Sequence, residues 1–404
     1  MKTFGSLGKI APLVLLAIVT FTSACRGPLN INQGGIGVPF GGGDPTVATQ
    51  SPVKHVIVLV FQNSSFDHLF GHFPPPSGQT VEAAHPGVLG FTQPDPTGAM
   101  ISPFLQTDPN STDMGHNHGD YANSVNGGAM DGFAKAEGTQ SMGYFDQSVS
   151  GVDVFYNYAA QNEVADHYFS SVLNSAPGQM LYMVSASDNN LPFSTQPVYG
   201  PCNQPDAAAV ADTEPNLGDE MTKANVGWTW FHEALGQCGG YVPQQNPFQY
   251  FTSTHKSDHI QDLTVFYAQL QSNQLPSVSF IQMSPSHSGH PGSSSITAAA
   301  SWFDQLVKQV QASSIANDVA IIAFWDEGGG WYDHVPPPQI DNQGLGIRVP
   351  MILISPLAKK GTVYHGLLDH TSVLKFIQWN WGLTPLNPRN SNPQIGDMRA
   401  MFSF

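Results

Sequence analysis

Residues 54–61, KHVIVLVF, form an unbroken β-branched and apolar run, and two later stretches, DVAIIAFW (318–325) and VPMILI (349–354), repeat the pattern. A strand that is apolar at every position has no face to offer water. Each of these must therefore be covered on both sides, as strands are inside a parallel sheet. Helical spacing lies between and after them: 296–313 carries Ala299, Phe303, Leu306, Val307 and Val310 on one stripe, and 371–381 follows a cap at Asp369 or Thr371. The expected fold class is α/β, a mostly parallel sheet between helices. Two Gly-, Pro- and Asn-rich stretches, roughly 72–130 and 186–260, are too long for simple connections and are expected as insertions that wall a site. With 40 Gly and 32 Pro and only 11% charged residues, coiled coils and helical repeats are excluded.

The first residues read as a targeting segment. Lys2 and Lys9 precede an apolar stretch over 10–21, too short for a membrane span, and Thr22, Ser23 and Ala24 lead into Cys25. The layout is that of a lipoprotein-type signal over 1–24, which predicts a lipid anchor on Cys25; plain secretion is the alternative. Residues 25–51 lack apolar periodicity and read as a flexible tether, so the folded domain is expected over 52–404. Outside the cytoplasm Cys202 and Cys238 can pair, two free buried thiols being the alternative. The formal charge is −16, and removal of the signal takes away Lys2 and Lys9 but no acid. Without a basic cluster, such a surface excludes nucleic acid as a partner. No feature points to a protein partner.

Chemistry gathers where two of the apolar runs end. Gln62 and Asn63 follow the first, and Asp326-Glu327-Gly328-Gly329-Gly330 follows the second. In open parallel sheets, ligands bind beyond the carboxyl ends of the strands. Two acids ahead of glycines that let backbone approach closely suit a hard cation held by oxygen, with Asn63 and Gln62 adding neutral oxygens. A solvated acidic turn is the plainer alternative.

Four segments carry a resemblance: VKHVIVLVFQNSSFDHLFG (53–71), FSSVLNSAPGQMLYMVSAS (169–187), WDEGGGWYDHVPPP (325–338) and GIRVPMILISPLAKKGTVYHGLLDHTSVLKFIQ (346–378). Together they resemble the bacterial phosphoesterase family that includes phospholipases C and acid phosphatases, in the right order across nearly the whole mature chain. The resemblance implies an alkaline-phosphatase-like core and a phosphoesterase catalytic domain over 52–404. It also implies hydrolysis of phosphate esters at a hydroxyl activated by a divalent metal ion of unknown identity. Carried over residue by residue, it makes Asn63, Asp326 and Glu327 metal ligands, with Gln62 where relatives commonly have Glu, and Ser175 the nucleophile. His116 and His290 are implied as phosphate contacts or proton donors, and His287, His370 and Asp333 as groups serving the substrate or bracing the site. Relatives often show histidine near Asn246, where this chain has Gln244 and Gln245, and arginine where it has Ser64.

A serine hydroxyl is a poor nucleophile until a metal or base activates it, and a histidine titrating near neutrality suits protonation of the leaving oxygen. The expected activity is that of an acid-phosphatase-like phosphomonoesterase. Phospholipase C action on phospholipid diesters is the nearest alternative, and a surface lipoprotein that binds phosphate or glycan without turnover is the alternative of another class. Because the chain ends at Phe404 soon after these motifs, no β-rich C-terminal domain of the larger phospholipases C is expected within it.

Overall fold

The structure, a computed structural model, describes residues 47–83, 91–189, 191, 197, 212–255 and 258–404. The signal, Cys25, most of the tether and Cys202 lie outside the described residues, whereas Cys238 is disulfide-bonded. All described residues belong to one compact unit, Pro39–Phe404. The chain is tied down slightly before Pro52, since the Gln50 N–H donates to the Asn380 carbonyl and the Ser51 hydroxyl to the Asn380 side chain. Among the described residues no helix is long and apolar enough to cross a membrane.

Eight strands form the central sheet: β1 His55–Phe61, β2 Glu163–Ala165, β3 Trp228–His232, β4 Ile260–Asp262, β5 Val278–Gln282, β6 Val319–Trp325, β7 Met351–Ile354 and β8 Thr362–Tyr364. Their spatial order is β8-β2-β7-β6-β1-β5-β3-β4. The two longest, β1 and β6, lie side by side at the centre, parallel and in register from His55↔Val319 to Phe61↔Trp325. β7 alone runs against the rest, antiparallel to both β6 and β2. This corrects the reading of 349–354 as a parallel strand. Burial on both faces produces an unbroken apolar run whichever way the strand points, so the pattern carries no direction. A second correction concerns 186–260, which is not wholly an insertion: its WTWFH segment is the core strand β3, too short and too aromatic-rich to stand out as one.

Helices cover both faces, as expected. Phe61 and Trp325 stack on one face and meet Phe155 and Phe303, from α3 (Val152–Gln161) and α6 (Ile296–Gln311). The next residue back, Phe324, points to the opposite face, where it meets His370 at the start of α7 (His370–Trp381). The α6 stripe read from the sequence is buried as predicted, capped by Ser295, and each fully buried Leu, Val or Phe on it contributes about 1.5–3 kcal/mol. Three more helices bear on the site, α1 (Phe66–Phe70), α2 (His118–Val125) and α4 (Ala176–Ser185), while α5 (Leu263–Gln271) leads into β5.

Candidate active site

The register Phe61↔Trp325 sets Gln62-Asn63 beside Asp326-Glu327, although more than 260 positions separate them in the chain. The Asn63 N–H donates to Asp326 Oδ1 at 3.0 Å, and the Glu327 N–H donates to the same oxygen at 2.8 Å. Asn63 holds a left-handed backbone (φ 59°), a conformation asparagine tolerates better than most residues. Gly329 is what allows this approach: a Cβ there would lie 2.6 Å from the Asn63 Cβ. A Cβ on Gly330 would lie 2.7 Å from the Gly115 carbonyl, so the glycine run also admits the segment that brings His116.

Asp326 and Glu327 are each 1% exposed. Among the described residues neither is ion-paired with Lys or Arg; the nearest basic group is His116 Nε2, 3.9 Å from Glu327 Oε1. Burial raises the Asp326 carboxyl to about 6, despite its two backbone N–H donors and the nearby His290 and His116. Burial, and then the Asp326 charge, push Glu327 well above the usual carboxylate range. Both Glu327 oxygens are held, Oε2 by the Tyr121 hydroxyl at 2.7 Å and Oε1 by the Ala176 N–H at 3.0 Å. That second bond brings the N-terminus of α4 to the carboxylates. Ser175 is its N-cap by backbone conformation, yet its side chain makes no capping hydrogen bond, which leaves the hydroxyl for other work.

Each of two histidines fixes one ring nitrogen on the backbone: His116 Nδ1 on the Met114 carbonyl at 2.6 Å, His290 Nδ1 on the Pro291 carbonyl at 2.7 Å. Nδ1 is thus the protonated nitrogen of each neutral ring, and Nε2 is the acceptor. The rings lie 6.1 Å apart. His290 Nε2 is 3.3 Å from Asn63 Nδ2, which orients that amide and leaves Asn63 Oδ1 buried without a partner. Gln62 is 3% exposed, and its N–H donates to Ser288 O in the loop that carries His290.

An orphaned buried carbonyl oxygen beside two buried carboxylates fits a hard divalent cation, whose charge would balance the pair. Asp113, His116 and His290 bring ligand atoms within 4.8 Å of one another, as do Asp67, Asp333 and His334. The need for a cation is smaller at both. Asp113 is half exposed, and Asp67 and Asp333 already share Arg348.

Three residues expected to serve the substrate or brace the site have protein partners of their own. His370 is wholly buried; its Nε2 donates to the Asp326 carbonyl at 2.7 Å, its Nδ1 accepts from the Tyr168 hydroxyl, and burial lowers its pKa to about 4. Asp333 is sealed behind the site, accepting from Arg348 Nε and from the backbone of Asp67 and Val335. His287 is held at 2.8 Å by Glu233, whose other oxygen takes the Ser284 N–H and hydroxyl, so this pair anchors the turn leading to His290. None of the three was expected to have these partners. Sequence reasoning also missed Tyr121, which carries no local signal, and Arg348, whose signal was a lone charge at the entry to an apolar strand.

The chain matches the Phosphoesterase family over residues 53–384. Phospholipase C A of Mycobacterium tuberculosis is 27% identical, over 90% of this chain and 79% of that protein. Non-hemolytic phospholipase C of Pseudomonas aeruginosa is 25% identical, over 87% of this chain but 57% of its own length. Non-specific phospholipase C3 of Arabidopsis thaliana is 24% identical, over 79% and 66%. A solved protein of the alkaline phosphatase superfamily from Vibrio parahaemolyticus superposes with a TM-score of 0.44 at 10% identity, over 88% of this chain and 74% of that one.

Proposed function

The chain belongs to the Phosphoesterase family and is a hydrolase acting on phosphate esters, and from that premise we propose that it cleaves phosphodiesters as a phospholipase C does, with Ser175 as nucleophile. The observation that carries this reading is the convergence of Ser175, Asn63 and the uncompensated pair Asp326 and Glu327 at the ends of β1, β6 and the start of α4. Asn63, Asp326 and Glu327, with Gln62 beside them, would hold a divalent cation. When bound, the cation would lower the pKa of the serine hydroxyl and neutralise phosphoryl oxygens.

The chain's own residues supply the rest. Ser175 gives its hydroxyl proton to solvent, its Oγ forms the bond to phosphorus as the bond from phosphorus to the alcohol oxygen breaks, and His116, protonated on Nε2, gives that alcohol oxygen its proton. His290 holds Asn63 and contacts the phosphoryl group. Water then attacks the phosphoserine, and Ser175 leaves as the hydroxyl, its proton returned through His116. His370 fixes the backbone of Asp326, and Glu233 with His287 fixes the loop of His290, as positioning groups. Among the described residues no Lys or Arg is gathered at the site, which suits the single negative charge of a diester better than the double charge of a monoester. The relatives named above, all phospholipases C, point the same way. The phosphomonoesterase reading is kept because the same machinery would serve it.

The test is turnover of a chromogenic phosphorylcholine diester and a chromogenic monoester, each with and without chelator. Diester turnover abolished by chelator and lowered at least about a thousandfold in Ser175→Ala is the expected result. A variant as fast as the parent would remove Ser175 from the mechanism. A folded parent inert on both esters would favour the phosphate-binding lipoprotein. We propose further that the protein is exported and lipid-anchored through Cys25, a reading supported by the disulfide at Cys238. Loss of membrane association in Cys25→Ala is the corresponding test.

A further inference from the structure

Tyr121 lies in α2, within the stretch read from the sequence only as a wall. Asn117 caps this helix through a capping box with Asp120, and His118 Nδ1 is 2.6 Å from the Leu173 carbonyl, just ahead of Ser175. The Tyr121 ring is 2% exposed and packs in a small core with Val125, Phe133, Met142, Tyr332 and Ile347. Its hydroxyl does two things there. It donates to Glu327 Oε2 at 2.7 Å and accepts the Gly329 N–H at 2.8 Å, on the same loop two residues on. With Ala176 N–H on Oε1, this bond leaves the Glu327 carboxylate no freedom to rotate.

We propose that Tyr121 is a positioning residue for the cation site, setting which lone pairs Glu327 turns toward the site and locking the glycine loop in the shape that admits Asn63. The proposal rests on the reading of Asn63, Asp326 and Glu327 as a divalent-cation site. A tyrosine that merely filled the small core would do so equally well as phenylalanine. Removing only the oxygen frees Glu327 Oε2 and strands the buried Gly329 N–H, and outer partners of metal ligands typically matter by about 10–100-fold in affinity.

The experiment is calorimetric titration of the metal-stripped parent and Tyr121→Phe with Mn2+, together with diester kinetics over a range of Mn2+. The expected result is a dissociation constant raised about 10–100-fold in the variant, with kcat recovering as Mn2+ is raised and KM for the ester unchanged. Equal Mn2+ affinity in parent and variant overturns the role of Tyr121 while leaving the site intact. A parent that binds no Mn2+, Ca2+ or Zn2+ overturns the cation site itself, and this proposal with it. If Tyr121→Phe does not fold, 3-fluorotyrosine placed at position 121 keeps the bond, and its fluorine resonance must move on binding of diamagnetic Zn2+; a resonance unmoved by bound Zn2+ overturns the proposal.

Discussion

Asp326 and Asp333 are seven residues apart on one loop and both are shut away from water, yet only Asp333 has a guanidinium beside it. Arg348 Nη2 takes Asp67 at 3.0 Å and its Nε takes Asp333 at 3.1 Å, so that buried acidic pair is balanced from within the chain. His334 completes the group with Nδ1 at 2.7 Å from Asp67 Oδ2. Burial opposes its protonation, but the hydrogen bond and charge of Asp67, with Asp333 behind it, raise its pKa above the ordinary 6.5 against the pull of Arg348. Since the folded value is the higher one, protonation of His334 stabilises the fold fully below about pH 6.5. That contribution is lost as pH rises through the folded value. In His334→Gln, the fall in urea midpoint between pH 6 and 8 should flatten; an unchanged slope would mean that His334 does not carry it.

At the scale of elements, Arg348 works as a staple. It stands just ahead of β7 and reaches α1 through Asp67 and the loop after β6 through Asp333, while its Nη1 donates to the carbonyls of Glu82 and Asp166. α1 and the loop after β6 carry the site from β1 and β6, so this side chain adds to the ties between them made by the Asn63 N–H on Asp326 and the Ser65 hydroxyl on the Tyr332 carbonyl. Arg348→Ala removes the guanidinium from two buried carboxylates, and the expected cost is about 3–5 kcal/mol, read from denaturant unfolding. A cost under about 1 kcal/mol would show that water or protonation relieves the pair. The strands and helices that could be read in advance were those whose burial pattern is long, such as β1, β6, α6 and α7. β3 and the direction of β7 could not, because five residues carry little periodicity and an apolar run carries no direction.

For the whole molecule, the proposed cation site at Asp326 and Glu327 carries a consequence for stability: a cation bound there would offset the buried pair. A ligand that binds only the folded chain stabilises it by about 2.7 kcal/mol at a hundred times its dissociation constant. Thermal unfolding of the parent should therefore shift upward with added Mn2+ and return with chelator, and Asp326→Asn should lose most of the shift. A parent whose midpoint ignores Mn2+ would argue against the site. The amino-acid sequence by itself determined the α/β class, the buried central strands, and Asn63, Ser175, Asp326 and Glu327 as the groups worth watching. The class, the strands and the acids follow from local composition and from motifs a few residues long, and Ser175 from the family resemblance those motifs carry. Only the tertiary structure decided that Tyr121 holds Glu327, that Arg348 answers one acidic pair and not the other, and which partners hold His370, His287 and Asp333. Each of those is a pairing between distant residues, fixed by the register of β1 on β6 and the docking of α2 and α4, and no local pattern encodes which distant group a side chain will meet.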